Sequence, residues 1–319
     1  NILFFFFKET ATPETYPLSL PDALPIYPQL QAQLGMARIL KEMRRTFTVL
    51  PNNRLERLQG KKLAILTDAA LLRPEEIDTL ADFVAAGGSL YLSGTTDARL
   101  AERLLGLRRI GLTQETSTYL APTNAGEAAF GEEYSARYPV SAPGRQVLVT
   151  SPEGHSVLAT VTLPYTDPED RSVFASIHSN PPGRPTDYPA VVLGQYGKGQ
   201  VLWLSCALES SQQESLRGVV TRLLLQLAEP AILQSDAPAC VELTLFRDEG
   251  RYILHAINVQ ETSPALPIGT FNITLKTEKT IRQIRRAPGL EKLDFEQTGK
   301  GIRLTLPGLD LFETCVIEF

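Results

Sequence analysis

The hydrophobic period of this 319-residue chain changes once, near residue 230, and that change dictates two kinds of architecture in one polypeptide. Upstream, some segments carry apolar residues at helical spacing and others form short continuous apolar runs. Downstream, apolar residues alternate every second position. Leu34, Ala37, Leu40 and Met43 recur at three- and four-residue steps, which predicts an amphipathic helix before a strand over Thr46–Leu50. Lys61 and Lys62 lead into Leu63–Leu66, a run apolar throughout, as expected of a strand buried on both faces and ending at Asp68. Pro74, Glu75 and Glu76 open the next helix, because proline lacks only a donor that is unpaired there and acids favour the positive end. That helix presents Ile77, Leu80, Phe83 and Val84 to a core and stops at Gly87-Gly88, a cap that can turn left-handed. A strand over Ser89–Ser93 and a helix over Asp97–Leu105 follow. The alternation over Tyr27 to Glu229 predicts an α/β layer domain with a largely parallel sheet.

Between Gly111 and Tyr188 this rhythm is lost, and short β-like pieces at Val147–Thr150 and Val157–Leu163 lie among Pro- and Gly-rich turns. The segment from about 111 to 188 is expected to be an insertion. Ala190–Gln195, a turn at Tyr196-Gly197-Lys198-Gly199, and Gln200–Ser205 then predict a hairpin in which glycine supplies the positive φ angles. Leu216, Val219, Val220, Leu223, Leu224 and Leu227 form the face of a last helix, and Pro230 marks a boundary. From Ala231 onward Val241, Leu243 and Leu245 alternate with Glu242 and Thr244, and similar alternation recurs at Ile273 and Leu275 and at Ile302, Leu304 and Leu306. About seven short strands over residues 230–319 predict a β-sandwich.

The first 26 residues are set apart. Asn1 to Ile26 lack an initiating Met, open with Phe4-Phe5-Phe6-Phe7 and continue as KETATPETYPLSLPDALPI, which looks like the translation of a sequencing adapter. They are expected to be non-native and are excluded from the fold and from any statement of localisation. A secretory signal would need a basic start and a longer apolar core. A disordered tail is the competing reading, since Pro13, Pro17, Pro21 and Pro25 suit neither helix nor central strand. On the adapter reading the true protein starts upstream. The remainder still holds two domains of ~100 to 200 residues each.

The net charge of −5 is spread along the chain and no basic stripe follows a phosphate backbone, so nucleic acid is not an expected partner. No apolar run approaches the roughly 18 residues of a membrane helix, so no membrane partner is expected either. Cys206, Cys240 and Cys315 lie in apolar, strand-like surroundings that suit small buried hydrophobes better than a disulfide framework or a metal site.

The α/β layout invites comparison with the flavodoxin-like domain of class I glutamine amidotransferases, whose cysteine nucleophile sits on a strained turn between strand and helix. Here the strand Ser89–Ser93 runs into Gly94-Thr95-Thr96 with no cysteine. A threonine nucleophile needs an adjacent base, and no histidine lies in the stretch, so Thr95 and Thr96 are expected to cap the helix that begins at Asp97. Cys206 also follows a strand, but Leu204 and Leu208 are bulky where an elbow demands small residues. His155, His178 and His255 fall on separate elements and form no metal pair; His255 is expected in the core, and His178 in a loop that could meet a sugar. Glu75 with Glu76 and Glu132 with Glu133 are expected on solvated faces, and neither makes a flanking glycosidase pair. Gly197-Lys198-Gly199 lacks the rest of a phosphate loop, and Trp203 is expected in the core. No catalytic, cofactor-binding or metal-binding residue is therefore assigned, and no cofactor is expected.

Two blocks resemble a family. KLAILTDAALLRPEEIDTLADFVAAGGSLYLSG, from Lys62 to Gly94, and PAVVLGQYGKGQVLWLSCAL, from Pro189 to Leu208, are similar to the amidotransferase-like domain that follows the catalytic barrel in family 42 β-galactosidases and related glycoside hydrolases. The closing LFETCVIEF resembles the end of their C-terminal β-domain. The resemblance implies an α/β domain over 27–229 that has lost amidotransferase chemistry and mediates oligomerisation, trimerisation included. It implies a β-sandwich over 230–319 and a pair of catalytic glutamates in a barrel that would precede Tyr27. The chain is then an inactive fragment of a β-galactosidase- or fucosidase-like hydrolase, with carbohydrate, its own missing barrel and further copies of itself as partners. Two alternatives stand beside it: an amidotransferase-like enzyme without a cysteine nucleophile, whose polar groups converge near Asp68 and Gly94, and a carbohydrate-binding module in the sandwich.

Overall fold

The structure is a computed structural model that describes residues 3–7, 28–150, 153–176, 178–228, 231–260 and 264–319. It divides into two units, one of Asn1–Ile39 with Thr46–Glu229 and one of Leu40–Arg45 with Pro230–Phe319. Residues 1, 2 and 8–26 of the expected adapter segment lie outside the described residues, but Leu3–Phe7 forms a strand, β1, parallel to β2 at Phe47–Pro51.

Helix α1 covers Pro28–Glu42. The rest of the first unit is built on β3 (Leu63–Thr67), α2 (Pro74–Ala85), β4 (Ser89–Ser93) and α3 (Ala98–Leu105). β5 (Arg109–Leu112), β6 (Ser117–Pro122), the short α4 (Glu127–Phe130), β7 (Val140–Pro143) and β8 (Val147–Val149) follow. β9 (Ser156–Pro164), the long β10 (Pro182–Tyr196), β11 (Gly199–Leu204) and α5 (Glu214–Leu224) complete it. One seven-stranded sheet runs in the order β3-β4-β11-β10-β9-β6-β7.

Only the β3–β4 and β4–β11 pairings are parallel; the other four are antiparallel. The largely parallel sheet expected from the sequence is thus a mixed one. The cause is the hairpin: a two-residue connection at Gly197-Lys198 returns the chain beside itself and can only pair antiparallel strands. Residues 111–188, expected to be an insertion, supply β6, β7, β9 and the first part of β10 to this same sheet, covering the edge that the hairpin would otherwise expose. β10 reaches both neighbours through irregular register against β9.

The three parallel strands are buried on both faces. Leu66, Leu90, Leu92, Val201 and Trp203 point to one side, where Leu80 and Val84 of α2 and Leu100 and Leu104 of α3 pack on them. Ile65, Tyr91, Leu202 and Leu204 point to the other, each fully or almost fully shielded from solvent. Asp97 caps α3 by accepting from the Arg99 amide at 3.0 Å, and Gly106 closes it with φ +67°. The cap expected at Thr95 or Thr96 is therefore Asp97 itself, because only its carboxylate also reaches across to the Leu72 amide.

The second unit is all-β. β12 (Leu233–Ser235), β15 (Phe271–Lys276), β19 (Gly301–Leu306) and β18 (Phe295–Thr298) form a four-stranded sheet in that order, with β13 (Val241–Asp248) and β14 (Arg251–Asn258) opening the other. The five-stranded sheet has the order β13-β14-β20-β16-β17, with β16 at Gln283–Ala287, β17 at Glu291–Leu293 and β20 at Phe312–Glu318. Every pairing is antiparallel, and Ile273, Leu275 and Ile302 of one sheet share a core with Leu254, Cys315 and Ile317 of the other. The molecule is mixed α/β with separate all-β sheets, and among the described residues of the second unit stand nine strands where about seven were expected.

The turn glycines divide their work. Gly197 is needed for both conformation and space, with φ +58° and 2.6 Å between an added Cβ and the Ala85 Cα, whereas Gly199 is needed for space alone: a Cβ there would stand 2.0 Å from the Gly88 carbonyl oxygen and 2.4 Å from that of Val84. Gly199→Ala is expected to cost about 1 to 3 kcal/mol, measured as a lower urea midpoint, whereas Gly250→Ala, where nothing lies within 4 Å, probes only the φ of +71°.

Candidate functional site

The parallel strands end together, so their last residues meet above the sheet, the usual position for ligands in open α/β domains. Asp68 follows β3, Gly94 and Thr95 follow β4, and Ser205 and Cys206 follow β11; with exposed Arg145 they line a cavity of about 440 Å³. Asp68 and Gly94, the positions near which the alternative enzyme reading would need polar groups to converge, both line it.

The turn after β4 is held by Asp68. Its Oδ1 accepts from the Thr95 amide at 2.7 Å and from the Thr95 hydroxyl at 3.1 Å. Gly94 has φ +60°, and a Cβ on it would lie 2.0 Å from that same oxygen, so the turn and the carboxylate require each other. Asp68 adopts φ +49°, a strained backbone for a residue with a side chain. Thr96 turns its hydroxyl back to the Ser93 carbonyl at 2.7 Å. The turn is tight, but both threonine hydroxyls are committed to structural bonds and no histidine lines the cavity.

Beneath the cavity lies a group that sequence reasoning missed. Glu209, in the short 3-10 turn Leu208–Ser210, is completely buried and accepts from the Tyr91 phenol at 2.8 Å and from the Ser93 hydroxyl. Burial pushes its carboxyl up to about 7, against the two donors, which favour the charged form. Burial and the neighbouring Glu209 charge also raise the Tyr91 phenol well above its usual value. The signals were Tyr91, a lone hydroxyl in the apolar run SLYLS that must find a partner once buried, and Gly35 within α1, where a Cβ would stand 1.9 Å from the Glu209 carbonyl oxygen.

Cys206 is buried, and its thiol is pushed far up by burial, by Glu209 and by Asp68. A nucleophilic cysteine needs the opposite surroundings, cationic or at a helix N-terminus. The thiol is therefore held neutral and inert.

The remaining sequence candidates stay dispersed. His155 packs its ring near Gly194, and exposed His178 makes a local bond, its amide donating to the Ser176 hydroxyl at 3.2 Å. His255, expected in the core, is half-buried on the outer face of the five-stranded sheet, bonded to Thr314 at 2.8 Å and stacked on Phe312, because its place on β14 puts it opposite the inward Leu254 and Ala256. Glu76 is also not solvated: it is 2% exposed and accepts from the Arg73 amide at 2.7 Å and from its guanidinium, closing the first turn of α2. Glu75, Glu132 and Glu133 are exposed, and Trp203 is in the core. The three cysteines are unpaired, with Cys240 half-buried. Among the described residues no group of three ligating side chains could hold a metal, and no helix is long and apolar enough to cross a membrane.

No protein-family model and no curated protein matches the chain. Solved structures do share its fold. α-L-Fucosidase isoenzyme 2 from Paenibacillus thiaminolyticus superposes with a TM-score of 0.70 at 20% identity, over 91% of this chain and 45% of that one. A β-galactosidase from Bacillus circulans sp. alkalophilus gives 0.61 at 12% identity, over 99% of this chain and 41% of the other. A catalytic mutant of a GH42 β-galactosidase from G. stearothermophilus gives 0.63 at 13%, over 99% and 40%. The chain thus spans less than half the length of these glycoside hydrolases and shares the fold of that part.

Two measurements check the chemistry of the strand ends. An unfolded glutamate titrates near 4.5 and folded Glu209 near 7, so below 4.5 the group contributes nothing. As pH rises from 4.5 to 7 the unfolded chain gives up its proton more readily, stability falls, and the loss levels off above 7 at about 3 kcal/mol. Glu209→Gln is therefore expected to raise the melting temperature at pH 8 and to change it little at pH 4; an equal shift at both would exclude the linkage. Cys206 is expected to resist alkylation at pH 8 in the folded chain, and mass spectrometry of the peptides should find Cys240 labelled first.

Proposed function

We propose that this chain is the non-catalytic accessory part of a glycoside hydrolase of β-galactosidase or α-L-fucosidase type. In that reading a flavodoxin-like, amidotransferase-like domain over 27–229 and a β-sandwich over 230–319 follow a catalytic barrel that carries the two reacting carboxylates. The first domain assembles copies of the chain and buttresses the barrel.

The observation that carries this reading is the fold shared with 40 to 45% of hydrolase chains along 91 to 99% of this one. The inert strand ends support it. The elbow after β4 keeps its shape with Asp68 and Thr95 bonded to each other where a nucleophile would stand, and the adjacent thiol is flanked by acids rather than by a base. Glu115 and Asp167, which share a second cavity, are both engaged by the Arg184 guanidinium and so do not form the free acid and base of a glycosidase pair.

The purified chain is expected to release no nitrophenol from nitrophenyl β-galactoside or α-fucoside, while the product of the full upstream reading frame hydrolyses one of them. Turnover by the chain alone, abolished by replacing Asp68, would instead establish an enzyme at the strand ends. Light scattering is expected to find an oligomer, and a monomer at micromolar concentration would remove the assembly role.

A further inference from the structure

We propose that the second unit binds an acidic saccharide, a glycan segment bearing carboxylates or sulfates, at one end of its sandwich. The site is a cavity of about 600 Å³ lined by four cationic side chains. Arg247 comes from the end of β13, Lys276 from the end of β15, Lys279 from the turn that follows, and Lys300 from the turn between β18 and β19. The single opposing carboxylate is Glu278.

Two features separate this group from ordinary surface lysines. The first is charge left uncompensated. Elsewhere in the same unit Arg251 pairs with Asp248, Arg285 with Glu318 and Arg286 with Glu313. None of the ion pairs among the described residues involves Arg247, Lys276, Lys279 or Lys300. In a chain of net charge −5, four like charges around one concavity repel one another and focus a positive field into it. A multivalent anion relieves that repulsion.

The second feature is that the frame is tied together. The Thr277 amide donates to the Lys300 carbonyl at 3.3 Å, joining the two turns that carry the lysines. The Thr277 hydroxyl takes part in a 3.1 Å bond with the Tyr252 phenol and accepts from the Lys279 amide at 3.1 Å. Tyr252 in turn packs on Phe319, ring centroids 4.8 Å apart, and the Lys279 ammonium lies 5.6 Å over the Phe319 ring. The strands and turns therefore fix the backbone from which the cations project, and Phe319 holds the Lys279 ammonium, which lowers the cost of ordering the frame on a ligand.

Size and shape select the ligand class. A cavity of this volume suits a ligand of several rings' worth of atoms rather than one oxyanion. The cations reach it from three chain segments instead of converging on one point. Lysine ammoniums act as separated point charges, matched to acidic groups spaced along a chain of sugars. Single-stranded nucleic acid would call for several exposed rings along a groove, and Tyr252 is the one aromatic residue lining this cavity. That the anion is a saccharide rests on the glycoside hydrolase reading above.

The test is calorimetric titration of the whole chain with oligogalacturonate and with a sulfated galacto-oligosaccharide, beside neutral galacto-oligosaccharide, inorganic phosphate and single-stranded DNA. At least one acidic saccharide is expected to bind, more weakly as salt is raised. The double variant K276E/K300E is expected to weaken it by about tenfold or more, with K276Q/K300Q as a milder pair should the reversal lower the melting temperature. The proposal is overturned by absence of binding to both acidic saccharides, by equal affinity for the neutral one, or by affinity unchanged in both variants. Phosphate bound as tightly would make this a simple anion site, and tighter DNA would make it a nucleic-acid site; either overturns the saccharide. Failure with a barrel found upstream removes this site alone, whereas acidic-saccharide binding with no barrel upstream removes only the hydrolase reading.

Discussion

Burial of the β3-β4-β11 strands on both faces is the constraint on which the first unit depends. Leu66, Leu92 and Trp203 on one side and Ile65, Tyr91 and Leu202 on the other are each worth on the order of 2 kcal/mol when withdrawn from water. That gain is available only if both faces are covered. The covering explains α2 and α3, and it explains why Gly197 and Gly199 must let backbone meet backbone where the hairpin passes the end of α2. Two-sided burial also makes an unpartnered polar group on these strands costly, so most of them find a partner inside the protein, the Thr67 hydroxyl at the end of β3 being an exception among the described residues.

The strand ends follow from that demand. Tyr91 and Ser93 face the fully enclosed side, and Glu209 is the acceptor that satisfies both. Held without a cation beside it, the carboxyl is stabilised in its neutral form, which at neutral pH is a cost to folding rather than a contribution. A second carboxylate, Asp68, clamps the turn after β4 at the expense of a positive φ. Between these acids the Cys206 thiol is disfavoured as a thiolate. The surroundings that would have to be cationic to activate a thiol are here acidic and buried, and they keep it protonated.

The second unit solves a different problem. Its two antiparallel sheets need only one buried face each, so the outer face and the strand ends are free to carry charge and aromatic surface. His255 illustrates the consequence. An apolar run from Tyr252 to Val259 suggests a core strand, but antiparallel alternation sends His255 outward to stack on Phe312 while Leu254 and Ala256 stay inside. Lys276 ends β15, and Lys279 and Lys300 stand in turns, where no periodicity speaks of them.

The sequence by itself determined the local elements of this protein. The 3.6-residue period of α2 and α3, the continuous apolar strands at Leu63 and Ser89, the Gly197 hairpin and the period-two segment after residue 230 all follow from short-range sterics and from which residues shun water. It also shows that the turn after β4, Gly94-Thr95-Thr96, carries no cysteine. Only the tertiary structure decided how strands pair and which polar groups meet. Residues 111–188 join the central sheet because an open β10 edge must be paired, a demand that arises only after the hairpin is in place. Glu209 stands more than a hundred positions from Tyr91 and Ser93, and the four cations of the sandwich come from three separate segments. Local pattern records what a residue needs from its neighbours in sequence, and burial in three dimensions assigns the partner that meets the need.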